Sequence, residues 1–294
     1  MIVFGSAVTD PDQYDRCAVP GIELVKEADS VVLAHQGTKT LFRNYNLLLD
    51  LAADYDGLEA LVLLHQDAEL VDEDFMPKAR EVLKDPEVAV IGLAGAVGVR
   101  SIAWWEGAVT WASFTHRYPE LGGGQFDSIA WNKDTTPSIY APGEVDSIDG
   151  FVMVLSPWAV RNMRFDESLG KLHGYDFDFC CQVREAGKKV VTMDSRAVHH
   201  HSLELIKDRD AWIEAYIKLM DKWEGRMPIH GSAEPNWRAR TLRAEAEAAA
   251  ALGEAVSQQL RGQALEKNLE KIENSTSWRL TAPLRRLRGR HNGS

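Results

Sequence analysis

Four short segments carry, in fixed order, the residues of this chain best suited to chemistry: LLHQDAEL at 63–70, SIDGF at 147–151, FDESLGKLHGYDFDF at 165–179 and AVHHHS at 197–202. Each sets carboxylate or imidazole groups just outside an apolar run. Asp67 is the best candidate for a cation ligand. His65, two residues away, projects the same way if strand geometry continues, whereas a sharp turn would aim it elsewhere. Alternation along a strand would put His199 and His201 on one face and His200 on the other. Mixed imidazole and carboxylate donors suit Mn2+, while Mg2+ prefers oxygen ligands. Asp176 and Asp178 are spare carboxylates for proton abstraction. On a helix they point about 200° apart, so they cannot both face one substrate hydroxyl. Each group also has a plainer use: Asp67 as the cap of a helix beginning near Glu73, the histidines as a solvated strand end, Asp176 as the cap of a helix over 176–187.

The elements that must position these groups follow from hydrophobic patterning. Apolar runs at 2–8, 30–34, 60–64 and 88–93 alternate with helical stretches near 13–28, 41–54 and 74–84. Strands separated by helices imply parallel βαβ units and a doubly wound α/β sheet. Such sheets bind ligands beyond the carboxyl ends of their strands, where Thr9, His35, Gln36, His65 and Asp67 fall. Residues 94–146, rich in Gly, Trp and Pro, read as long loops with short strands. A strand at 151–156, a helix near 175–187 stopped by Gly187, and a strand at 189–193 follow.

The ordered set of an early strand, HQD in place of Asp-x-Asp, an Asp-Gly pair, FDE followed by H-x-YD-x-D, and a closing H-x-x-S resembles glycosyltransferases of the family 2 type, over roughly residues 1–205. The resemblance implies the GT-A fold, a Rossmann-like, mainly parallel sheet flanked by helices, and a nucleotide-diphosphate sugar as donor. A divalent cation, Mn2+ or Mg2+, would offset the charge gathering on the departing diphosphate. The alignment of Val-His-x-x-Ser favours His199 as the metal or diphosphate ligand, with His201 as the alternative. Asp176 matches the base of an inverting transfer, Tyr175 standing where Glu is commoner, and Asp178 competes for the role. Asp149 and Gly150 match the junction of donor sugar and acceptor. Thr9, Gln36, Arg43 and Asn46, with His65 and Asp67, match positions near the nucleotide. Trp104 and Trp105 offer aromatic faces to an acceptor sugar, or core material.

Composition agrees with this reading. A 294-residue chain with 45% hydrophobic and 26% charged residues can bury a full core, and a net charge of −11 argues against nucleic acid as a partner. Three cysteines, two of them adjacent, make neither a disulfide framework nor a Cys-x-x-Cys metal site, which fits a reducing cytoplasm. The opening MIVFGSAV lacks a charged leader, and no run is long enough to span a bilayer, so secretion by a standard signal and a membrane span are not expected.

From about residue 207 the pattern turns helical. Between 238 and 274, Leu242, Ala249, Leu252, Val256, Leu260, Leu265, Leu269 and Ile272 recur every few residues and read as one apolar stripe for self-association in coiled-coil fashion. The last twenty residues hold five arginines and no acid, a basic tail suited to peripheral contact with the inner face of a membrane, or to docking on protein. The expected organisation is therefore a catalytic domain over 1–205, divided into a nucleotide-binding half 1–93 and an acceptor half 94–205, then a helical extension 206–274 and a tail 275–294. The expected activity is metal-dependent inverting transfer of sugar to a glycan or surface-polymer precursor. The rivals are a sugar-nucleotide nucleotidyltransferase, which would carry a Gly-rich, Lys/Arg-bearing loop that FGSAVTDPDQYD lacks, and a non-catalytic scaffold.

Overall fold

The computed structural model describes residues 1–37, 39–104, 107–118, 125–127, 142–200, 208–227 and 237–281. The first half alternates β1 (Ile2–Ala7), α1 (Pro11–Val25), β2 (Val31–His35), α2 (Leu41–Ala53), β3 (Ala60–Leu64), β4 (Ala68–Leu70), α3 (Phe75–Val82) and β5 (Val88–Gly92). Then come β6 (Ala94–Val97), β7 (Ala108–Ala112), β8 (Phe114–Arg117), β9 (Gln125–Asp127), β10 (Ser147–Ile148), β11 (Val152–Leu155), α4 (Pro157–Asn162), α5 (Tyr175–Glu185), β12 (Lys189–Thr192) and β13 (Ala197–His199). The helices α6 (Arg209–Trp223), α7 (Trp237–Glu273) and α8 (Thr276–Leu280) close the described chain.

The main sheet has six strands in the order β12-β5-β11-β3-β1-β2. β3 and β5 are uninterrupted apolar runs because helices cover both faces, and every residue in them is buried. β1 pairs in parallel with β2 and β3, and β12 in parallel with β5, whereas β11 runs antiparallel between β3 and β5. The sheet is thus mixed, its parallel β3-β1-β2 half joined to β5 and β12 through one reversed strand. Two small sheets, β10-β6-β7 and β4-β13-β8-β9, lie outside it.

Helix starts follow local chemistry. Asp10 accepts from the Gln13 amide ahead of Pro11, Thr40 from the Arg43 amide, and Ser156 from the Ala159 amide ahead of Pro157. α5 begins differently. Gly174 stands before it at φ 78°, and a Cβ there would lie 2.2 Å from a Leu219 methyl carbon of α6, so both backbone angle and packing demand glycine.

One compact unit spans Met1–Ser232 and a second Ala233–Ser294. α6, expected in the extension, therefore belongs to the first unit: Trp223 is buried and Lys222 and Trp223 both bond Asp178 of α5. In the second unit, α7 is one long helix, but its apolar residues do not form the single stripe expected. At about 100° per residue, Leu252, Val256 and Leu260 fall within one sector, while Leu265, Leu269 and Ile272 fall on the opposite side; all six are exposed. The change of face follows from the five-residue step between Leu260 and Leu265. No helix among the described residues is long and apolar enough to cross a membrane.

Candidate metal and sugar-nucleotide site

The sequence places His65 one residue beyond β3, and the backbone there stays extended long enough for the His65 amide to bond the Phe151 carbonyl at 2.9 Å. The chain then turns, with Ala68 N donating to His65 O, into β4. β4 pairs antiparallel with β13 so that Ala68 lies opposite His199, and the His200 amide donates to the Asp67 carbonyl at 2.8 Å. This pairing joins residues more than a hundred positions apart.

The outcome is a cluster of His65, Asp67 and His199 whose ligand atoms all lie within 4.8 Å of one another. Asp67 Oδ1 is 3.5 Å from His199 Nε2 and 3.8 Å from His65 Nδ1. Phe151 stacks on the His199 ring at 4.9 Å between centroids, fixing its plane. Burial opposes charge on His199, but the Asp67 carboxylate outweighs that and raises its pKa. Two imidazole nitrogens and a carboxylate oxygen, brought together with partial solvent access at Asp67, form a donor set that fits a divalent ion such as Mn2+. Strand alternation sends His200 the other way, where its Nε2 meets Glu69 Oε2 at 2.7 Å. His201 and Trp105 lie outside the described residues.

Asp176, in the first turn of α5, sits on the other side of this region. Its carboxylate accepts from the Gly150 amide at 3.0 Å and the Phe177 amide at 2.9 Å. Burial, and then the charge of Asp149, push its pKa up to about 7. Asp149 is held by the Phe151 amide and by Trp104 Nε1, at 3.1 and 3.2 Å. Trp104 is only 6% exposed, so it serves the core and orients Asp149 and does not present a face to a sugar. Gly150 has a steric reason beside its amide: a Cβ there would lie 2.3 Å from the Tyr175 hydroxyl.

Other expected contacts are spoken for by the fold. Asp178 is 1% exposed and bonds Trp223 Nε1 at 2.8 Å, Lys222 Nζ at 2.8 Å and Gln182 Nε2 at 2.7 Å, so it fastens α5 to α6 and does not face substrate. Asn46 clamps α2 to the FDE segment, exchanging hydrogen bonds with Phe165 N and O at 2.8 and 2.9 Å and reaching Glu167. Both ends of its amide are thus used within the fold. Gln36 and Arg43 are exposed at the end of β2 and on α2, and Thr9 is exposed after β1.

Three groups escaped sequence reasoning. Gln66, the middle of HQD, accepts from the Thr9 and Asp10 amides at 2.8 and 3.0 Å and so shapes the turn after β1. His116 of β8 lies beside His199 in the parallel β8–β13 pair, with ring centroids 5.8 Å apart. Tyr175 bonds His65 Nε2 at 2.6 Å. Only the last left a trace in the sequence, as a Tyr where Glu is commoner.

A mixed sheet flanked by helices, with its polar cluster past the end of β3, is the architecture of a GT-A glycosyltransferase. The match of residues 3–220 to the sequence model of the glycosyltransferase-like family places the chain within that family. It is 29% identical over 205 residues to the streptomycin biosynthesis protein StrF of Streptomyces griseus, covering 69% of this chain and 67% of that protein. Among solved structures, GalNAc-T7 with UDP, GalNAc and Mn2+ superposes with a TM-score of 0.51 at 12% identity, over 77% of this chain and 48% of that one, a likeness of fold alone.

Proposed function

We propose that this protein is a metal-dependent, inverting glycosyltransferase that moves a sugar from a nucleotide-diphosphate donor to a glycan or polymer-precursor acceptor. The observation that carries the reading is the convergence of His65, Asp67 and His199 within 4.8 Å at the end of a sheet of GT-A type. In this reading those three residues hold Mn2+ or Mg2+, which when bound would neutralise charge on the diphosphate leaving group. Thr9, Gln36 and Arg43 edge the nucleotide side. Asp176 takes the acceptor hydroxyl proton; a carboxylate whose pKa stands at about 7 is matched to that work near neutral pH. Asp149, beside it, lines the sugar junction. Catalysis belongs to the first compact unit, while α7 and the residues after it serve association with a second copy or with an anionic surface.

The test is calorimetry of nucleotide sugars with and without Mn2+. Asp67→Ala should abolish metal-supported binding yet keep the fold, because the side chain is partly exposed and outside the apolar core. Undiminished Mn2+-dependent affinity in that variant would remove Asp67 from the site and with it the reading.

A further inference from the structure

We propose that Tyr175 is a positioning residue for His65: its phenol oxygen accepts a hydrogen bond from Nε2–H and so holds the tautomer whose bare Nδ1 is the ligand atom turned to Asp67. The inference rests on the metal reading above. Tyr175 Oη lies 2.6 Å from Nε2, and Nδ1 on the other side of the ring lies 3.8 Å from Asp67 Oδ1. A neutral imidazole has one N–H and one bare nitrogen, so the partner of one nitrogen decides what the other can do.

The phenol is held where it can make that bond. Tyr175 is 6% exposed and meets Phe42 and Tyr45 edge-on, with ring centroids 6.3 and 5.5 Å away. Its hydroxyl occupies the space a side chain at residue 150 would need, which makes Gly150 part of the same device. The next residue is Asp176, itself bonded to the Gly150 amide. One rigid turn of α5 therefore sets the cation ligand His65 and the carboxylate Asp176 in a common frame. Glu in place of Tyr175 would bring a formal charge to this buried spot; the phenol offers an acceptor without one.

The experiment titrates Mn2+ alone into the full chain, followed by electron paramagnetic resonance, and reads the His65 tautomer by nitrogen NMR of the metal-free protein with labelled histidine. His65→Gln assigns the signals. Tyr175→Phe keeps the ring and should weaken Mn2+ binding about 10- to 100-fold. Wild type should show the Nε2–H form of His65, and Tyr175→Phe should gain the Nδ1–H form. An Nδ1–H form in wild type overturns the proposal whether or not the variant folds, as does unchanged Mn2+ affinity in a folded Tyr175→Phe. Wild type that binds no Mn2+ overturns the metal reading and this inference together. Mn2+ binding lost in Asp67→Ala and retained in Tyr175→Phe removes Tyr175 alone.

Discussion

Two faces of α5 carry carboxylates two residues apart in opposite circumstances. Asp176 looks to the segment between β10 and β11, takes hydrogen bonds from backbone amides and, among the described residues, has no ion pair; burial and Asp149 raise its pKa to about 7. Asp178 looks to α6, where Lys222, Trp223 and Gln182 saturate it. Burial alone would lower the pKa of Lys222, but Asp166 and Asp178 together raise it, so the ion pair holds. A buried carboxylate that is fully paired is fastening; one left poised near neutrality is equipped to exchange a proton. Residue type does not separate the two, whereas partners do.

The largest expected effect breaks the comparison on the Asp176 side. Asp176→Asn keeps the shape but has one acceptor oxygen where the carboxylate serves the Gly150 and Phe177 amides with two, and it cannot take a proton, so transfer should fall about a hundredfold to ten-thousandfold while donor binding persists. Relative stability should shift with pH. The folded pKa of about 7 lies above the unfolded value, so Asp176 stabilises the fold fully only below the unfolded pKa, and that contribution is lost as pH rises through about 7. The melting temperature of the variant relative to wild type should accordingly be higher at pH 8 than below roughly pH 4, and the wild-type rate should fall as pH drops through about 7. Asp176→Asn turning over at near wild-type rate in single-turnover assays would end its assignment as base.

On the other face, Asp178→Ala leaves the Lys222 ammonium partly buried beside Trp223 without one of its two carboxylates. Removing one member of a fully buried pair costs about 3–5 kcal/mol; Asp166 still holds Lys222, so the loss should be smaller than that, read in urea as a lower midpoint at unchanged slope. The fraction still folded should transfer sugar at close to the wild-type rate. If instead Asp178→Ala melts normally and is catalytically dead, the two faces have been assigned the wrong way round.

These contrasts also mark what was legible in the sequence. β1, β3 and β5 could be read because strands covered on both faces are continuous apolar runs, and α5 because Gly187 stops it. The opposed directions of Asp176 and Asp178 follow from helical geometry, but which of them faces the site depends on Lys222 and Trp223, more than forty residues on, and no local pattern carries that. The site itself was half legible: His65 and Asp67 lie at the end of a readable strand, and alternation already set His199 apart from His200, whereas bringing His199 against Asp67 needed the β4–β13 register, and both strands have only three residues. Asn46 was expected near the nucleotide from the family resemblance alone, and nothing local in the sequence signals a distant backbone partner such as Phe165. The stripe in α7 failed for a different reason. Counting apolar residues at three-to-five-residue intervals ignores the phase that a single five-residue step introduces.

That phase error shapes the smallest expected effect, which asks whether the α5 contrast is complete within the first compact unit. Every residue assigned here to metal, base or fastening lies at or before Trp223, within Met1–Ser232. Truncation after Pro235 should therefore leave donor hydrolysis close to that of the full chain. A helix with apolar residues on opposite sides has little to gain from staying alone in water, and its two short exposed patches can each cover a neighbour, so self-association should be lost with it. Light scattering of the truncated protein should give a lower mass than the full chain. An unchanged mass would remove α7 as the association element, and a large fall in hydrolysis would mean that the two faces of α5 do not by themselves account for activity.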